Sequence, residues 1–322
     1  MYGGGSGGAA NANSLFGGGG FMPSQSNTIP ESSGGSLSNS KGNESAPSSR
    51  AGGDDAGRRH RAEPPDARPR SLRMDWAACD LPLHGEDARF GHAEAGFVGV
   101  ADGVGGCRDD AVDANAFSRE LMASALAYVE QAAKSSKLRR RLRPEDVLER
   151  AYEKAFINGT PGASTAVIMS LDGATLRWAY IGDSGFAVLR DGKIVHRSMQ
   201  QQHYFTCPYQ LSSDGDGDSL SKAKVGDMPV EDGDVVVLGT DGLFDNMGDE
   251  KLEHAVSMGT ELGLSPKNMA DTAARIAYNV SMDEWADSPF SRECSKEHGE
   301  LVCGGKKDDM TVIVACIVSK DS

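Results

Sequence analysis

Apolar runs of strand length, each ending or beginning on aspartate, recur from residue 74 onward. "GFVGVA" (96–101) runs into Asp102-Gly103, "DVVVLGT" (234–240) runs into Asp241-Gly242, and Asp308-Asp309 opens onto "MTVIVACIV" (310–318). Runs this short and this apolar read as buried strands. A strand end is rigid, so carboxylates fixed at several strand ends can converge on one point. Between these runs lie "STAVIMS" (164–170), "TLRWAYI" (175–181) and "GFAVLR" (185–190). The last is followed by an Asp191-Gly192 turn into "KIVHRS", a hairpin signal. Apolar residues at helical spacing predict helices over 112–134, 143–156, 249–259 and 265–280. Pro144 suits a first helical turn, and Glu145 and Asp146 suit its dipole. Many antiparallel strands with segregated helices make the class α+β.

Composition divides the 322 residues in two. Residues 1–73 are Gly, Ser, Asn and Pro with little aliphatic periodicity, and such a segment cannot offset its ordering entropy by burial. They are expected to form a disordered extension, and residues 74–322 a single domain. "FGGGGF" lacks the Gly-Lys-Ser/Thr ending of a phosphate loop and reads as linker, as does the basic "RRHRAEPPDARPR". Residues 1–73 carry 8 Lys/Arg against 6 Asp/Glu, whereas residues 74–322 carry 25 against 41. A folded part so acidic repels a phosphate backbone, which argues against nucleic acid as a partner. No apolar run reaches the roughly 18 residues of a membrane span. The six cysteines form no C-x-x-C pair, and none begins a C-x5-R phosphatase loop. Free thiols in a reducing compartment follow, which favours cytosol or nucleus and leaves an organelle open.

An isolated Asp-Gly is usually only a turn. The ordered set is far more specific: "GEDA" with Glu86-Asp87, "VADGVGG", "GAST", "GDSGF" with Asp183, "TDGLFDN" with Asp241 and Asp245, then "DDMTVIV". Carboxylates brought together repel unless a cation neutralises them, and hard divalent ions prefer oxygen ligands.

This set resembles the type 2C protein phosphatases, magnesium- or manganese-dependent serine/threonine phosphatases, over residues 74–320. The resemblance is to compact, plant-type eukaryotic members. It implies a four-layer sandwich, two antiparallel β-sheets flanked by α-helices, with two Mg²⁺ or Mn²⁺ ions in a cleft at one end. It implies that Asp102 bridges both metals and that the Gly103 carbonyl binds one. Asp241 and Asp308 would bind the second, and Glu86 and Asp87 would contact a metal or its waters. Asp183 and Asp245 match positions linked to a third, weaker metal. Thr165 and Ser184 match loop-supporting positions. The implied reaction is hydrolysis of phosphoserine and phosphothreonine in protein substrates by a metal-activated water, without a covalent intermediate, in a signalling role and as a monomer.

Two positions depart from the family pattern. Val104 stands where many members have a histidine after Asp-Gly, and Pro82 where many have a phosphate-binding arginine. These departures motivate a second reading, an inactive phosphatase fold used as a binding module. The retained Asp102, Asp241 and Asp308 oppose it. His84, His92 and His203 are the candidate substitutes for the acid, and Arg73 and Arg89 for the phosphate contact. "DGDGDSL" (214–220) breaks a calcium-loop pattern at Ser219 and Val225 and reads as an acidic surface loop. The aromatics of 200–211 are candidates for a substrate groove.

Overall fold

The computed structural model describes residues 71–104, 114–135 and 142–320. Backbone contacts divide the chain at Ala62/Glu63, and all described residues belong to the second unit. The expected disorder of the extension, up to residue 70, lies outside the described residues, as do Cys107 and the first two residues of the helix expected from 112.

The chain opens with β1 (Leu72–Leu81), β2 (Asp87–His92) and β3 (Phe97–Asp102), followed by α1 (Ala114–Ala133) and α2 (Pro144–Ile157). Next come β4 (Ala163–Ser164), β5 (Ala166–Asp172), β6 (Thr175–Ile181), β7 (Gly185–Arg190) and β8 (Lys193–Arg197). Four short strands lead on: β9 (Gln202–Tyr204), β10 (Cys207–Pro208), β11 (Leu211–Ser212) and β12 (Lys224–Pro229). The remainder is β13 (Val235–Gly239), α3 (Asp241–Phe244), α4 (Asp249–Glu261), α5 (Pro266–Ser281), α6 (Pro289–His298) and β14 (Met310–Ser319).

Two five-stranded antiparallel sheets dominate. One has the order β1-β14-β13-β7-β8 and the other β12-β6-β5-β3-β2. Side chains alternate along a strand, so β14 serves two layers at once. Ile313, Ala315 and Ile317 pack with Val98, Val100, Met169 and Trp178 between the sheets. Met310, Val312 and Val314 face the other way, against Leu252, Val256 and the alanines of α5. The second sheet does the same: Ala166, Ile168 and Ile181 pack against Phe117, Leu121 and Leu148 of α1 and α2. The expected four layers are therefore present. The four predicted helices settle where the sequence placed them because each offers one apolar stripe to the core, α5 burying Met269, Ala270, Ala273, Ala274 and Ala277; α3 and α6 were not expected.

Turn chemistry fixes the β7–β8 hairpin. Asp191 and Gly192 both have positive φ, 50° and 72°, the conformation that a two-residue turn between twisted strands requires.

Candidate active site

Strand pairing brings the acidic motifs together before any side chain is considered. Asp87 begins β2 and sits opposite Asp102, the last residue of β3. Asp183 lies in the loop between β6 and β7, Asp241 opens α3 directly after β13, and Asp308 lies two residues before β14. These places share one end of the sandwich. Oxygens of Asp102, Asp183 and Asp241 all lie within 4.8 Å of one another. Close approach underlies the Asp241-Gly242 dipeptide: a Cβ on Gly242 would stand 2.0 Å from the Asp309 carbonyl. Glycine is required here for space, and the sharp turn usually read from Asp-Gly is not the reason.

The cluster is electrostatically strained. Desolvation, followed by Asp241, Asp87, Asp308 and Asp183, pushes the Asp102 carboxyl well above its usual range. Asp87 is raised in the same direction, mainly by burial, although the Thr240 hydroxyl donates to its Oδ2 at 2.8 Å. Burial with Asp241 and Asp245 nearby moves Asp183 up to about 7. Burial moves Asp245 up to about 6, with Lys306 opposing. Burial and Asp241 raise Asp308 as well. Oδ1 of Asp87, of Asp183 and of Asp241 is buried without a hydrogen-bond partner. Buried carboxylate oxygens orphaned in this way are costly in a folded protein unless something positive meets them.

The surrounding scaffold is polar and well paired. Thr165 Oγ1 lies 2.7 Å from Ser184 Oγ and accepts from the Asp102 N–H at 3.2 Å, so both residues support loops as expected. Gln202 donates to Asp183 Oδ2 at 2.9 Å. Glu86 joins through its backbone: its N–H donates to Asp309 Oδ2 at 2.5 Å, and its carbonyl accepts from Gly103 N–H at 3.1 Å. Asp309 was not singled out from the sequence. It is buried and accepts from the N–H groups of Leu83, His84 and Glu86, which clamps the 82–86 loop. Burial alone would raise its pKa, but these donors hold it below the usual carboxylate value. Lys306 was also missed. Its ammonium pairs with Asp241, with Asp245 at 3.2 Å and with Asp308 at 3.0 Å. An adjacent acidic doublet at the start of a strand is the signal for the first, since neighbouring side chains point opposite ways. A lysine two residues before Asp308 is the signal for the second.

Three of the five candidate substitute residues have side chains engaged elsewhere. His92 Nδ1 accepts from Ala95 N–H within its own turn, His203 pairs with Asp218 at 3.0 Å, and Arg89 grips Asp80 through Nε and Nη2. Beside the acidic end runs a groove of ≈ 1230 Å³. Asp183, Asp245 and Lys306 line it together with Tyr204, Phe205 and Phe290, the two phenylalanine rings stacked 5.6 Å apart. Of the aromatics in the 200–211 stretch, Tyr204 and Phe205 thus face a groove, whereas Tyr209 packs against His203 and Lys222.

An acid-lined end on a four-layer sandwich defines a class, and comparison with known proteins agrees. The family model described as Stage II sporulation protein E (SpoIIE) matches residues 112–318. The chain is 52% identical over 257 residues to "Putative protein phosphatase 2C 23" of Oryza sativa subsp. japonica, covering 78% of this chain and 77% of the relative. The X-ray structure of the photosystem II phosphatase PBCP is similar at 32% identity and a TM-score of 0.66, covering 76% of this chain and 98% of that one. The fold is shared with the catalytic domain of the serine/threonine protein phosphatase PstP, solved in complex with 2 manganese ions. That match has a TM-score of 0.55 at 18% identity, over 77% of this chain and 100% of that one. The chain belongs to the protein phosphatase 2C family, the metal-dependent serine/threonine protein phosphatases.

Proposed function

We propose that this protein removes phosphate from phosphoserine and phosphothreonine of protein substrates at the Asp102–Asp241–Asp308 end of the sandwich, using two divalent cations. The observation that carries this reading is the set of buried, unpartnered oxygens on Asp87, Asp183 and Asp241 beside Asp102. An all-oxygen donor set of this kind fits Mg²⁺ or Mn²⁺ and fits no soft metal. Asp102, the Gly103 carbonyl, Asp241 and Asp308 would hold the ions, with Asp87 and Glu86 around them and Asp183 at the rim. When bound, such ions neutralise phosphoryl oxygens and lower the pKa of a water towards neutrality, which makes hydroxide available for in-line attack.

The chain's own groups do the positioning. Thr240 fixes the Asp87 carboxylate, Thr165 and Ser184 fix the backbone around Asp102, and Gln202 ties Asp183 to the 200–211 segment. The groove receives the peptide on either side of the phosphorylated residue, with Phe205, Phe290 and Tyr204 offering apolar surface to it. The Val104 side chain has no proton to give, and its N–H is bonded to the Ala163 carbonyl, so the proton for the leaving seryl or threonyl oxygen comes from a donor other than Val104, a role that a water in the cleft fits.

The test is phosphate release from a phosphothreonine peptide by the purified full chain, with Mn²⁺, with Mg²⁺ and with chelator, beside Asp241→Asn. Metal-dependent release that the variant loses is expected. A folded chain that binds Mn²⁺ and releases no phosphate would sink the hydrolytic reading in favour of the binding module.

A further inference from the structure

Lys306 carries the one ammonium paired with the acidic cluster among the described residues. Its position is built in. The Lys306 N–H donates to Asn246 Oδ1 at 2.9 Å, and Asn246 Nδ2 donates back to the Lys306 carbonyl at 2.8 Å and to the Gly242 carbonyl at 2.9 Å. Asn246 is fully buried. The backbone of Lys306 is thus bolted to the segment that bears Asp241 and Asp245. Gly305 tightens the anchor, because a Cβ there would stand 2.2 Å from the Val280 carbonyl. From this fixed root the side chain reaches three carboxylates.

A divalent ion on Asp241 and Asp308 cannot share those oxygens with an ammonium at contact distance, because two cations there repel through little solvent. We propose that Lys306 is the site's built-in cation: it neutralises the cluster in the metal-free protein, competes with divalent metal for Asp241 and Asp308, and is retained by Asp245 once metal binds. Asp245 then serves as the anchor of the lysine and not as a metal ligand. The competition weakens metal binding and keeps the metal-free fold intact, so occupancy tracks the free divalent concentration. This inference rests on the metal reading above.

Mn²⁺ titration of the full chain, followed by the free-ion EPR signal, separates the two. Lys306→Met keeps the length and removes the charge. It is expected to bind Mn²⁺ tighter by about tenfold or more, a low bound for a unit charge a few ångströms away, and to melt at a lower temperature than wild type in chelator. Unchanged or weaker Mn²⁺ binding by folded Lys306→Met, while wild type binds and Asp241→Asn does not, overturns the lysine proposal alone. Wild type that binds no Mn²⁺ overturns both. Should Lys306→Met fail to fold, acetylation of wild type read by mass spectrometry decides. Lys306 should label several-fold faster in saturating Mg²⁺ than in chelator, and equal or slower labelling rejects the competition.

Discussion

Buried carboxylates at the same end of the sandwich meet burial in opposite ways. Asp309 is surrounded by N–H donors from the 83–86 loop and is held ionised by them. On the other side, Asp87, Asp102, Asp183 and Asp241 lie among like charges, with raised pKa values or oxygens that no donor reaches. The protein compensates the first region fully with amide donors and gives the second only the Lys306 ammonium, which leaves the remaining carboxylates to metal. Stability and reactivity are therefore divided between two sets of carboxylates. The clamp can be optimised for folding because it has no chemistry to perform, whereas the cluster keeps unmet charge because metal binding uses it.

The largest expected effect breaks the dependent side. Asp102→Asn should lower phosphate release by roughly a hundredfold or more, the scale of losing a charge-stabilising group at a reacting centre. Its metal-free melting temperature should hold or rise, since one repelling carboxylate is gone; a falling melting temperature would contradict the strain assigned to the cluster. Asp309→Ala attacks the self-sufficient side. Three amides lose their acceptor, and urea unfolding should report a loss of about 3 kcal/mol, metal present or absent. Metal distinguishes the regions directly. Mn²⁺ at a hundred times its Kd should stabilise wild type by about 2.7 kcal/mol, with most of that gain missing in Asp102→Asn and preserved in Asp309→Ala. Gly242→Ala presses a methyl group against the Asp309 carbonyl where the two regions touch, and should cost about 2 kcal/mol in thermal unfolding. The smallest effect lies at Asp218, which is compensated by side chains. Burial would raise its pKa, but Lys222, the Gln210 N–H and His203 lower it. Its contribution is present above the ordinary carboxylate pKa and is lost as pH falls through the lower folded value, so Asp218→Asn should flatten only the acid limb of the stability curve.

Much of this was legible in sequence because it is written in local pattern. The buried strands β3, β5, β6, β7, β13 and β14 are predominantly apolar runs, broken chiefly by Arg177 in β6, and α1, α2, α4 and α5 carry helical stripes. The strand β1 was less visible: Leu72 and Met74 alternate with Arg73 and Asp75, but Ala77 and Ala78 blur the period. The edge strand β12 contains Gly226 and ends at Pro229, with its residues mostly exposed, so it offers almost no apolar signal. Helix α6 buries little beyond Ser291 and is defined by its Ser288 capping box, a local rule easily lost among polar residues. The acidic motifs could be aligned with a family, yet which member of a doublet turns inward depends on pairing across the sheet. The role of Lys306 depends on Asn246, sixty residues earlier in the chain.

Strand β14 lies between β1 and β13 in its sheet, although it is made after both. Asp87, Asp102, Asp183 and Asp241 all leave the ribosome before Asp308 and the strand that follows it. Until β14 inserts, β1 has no neighbour in the sheet, and the layer under α5 lacks Met310, Val312 and Val314. A nascent or truncated chain therefore carries most of the acidic residues but no assembled centre. Synthesis itself delays the activity, and a ribosome-stalled fragment should be inert towards phosphoproteins however much metal surrounds it.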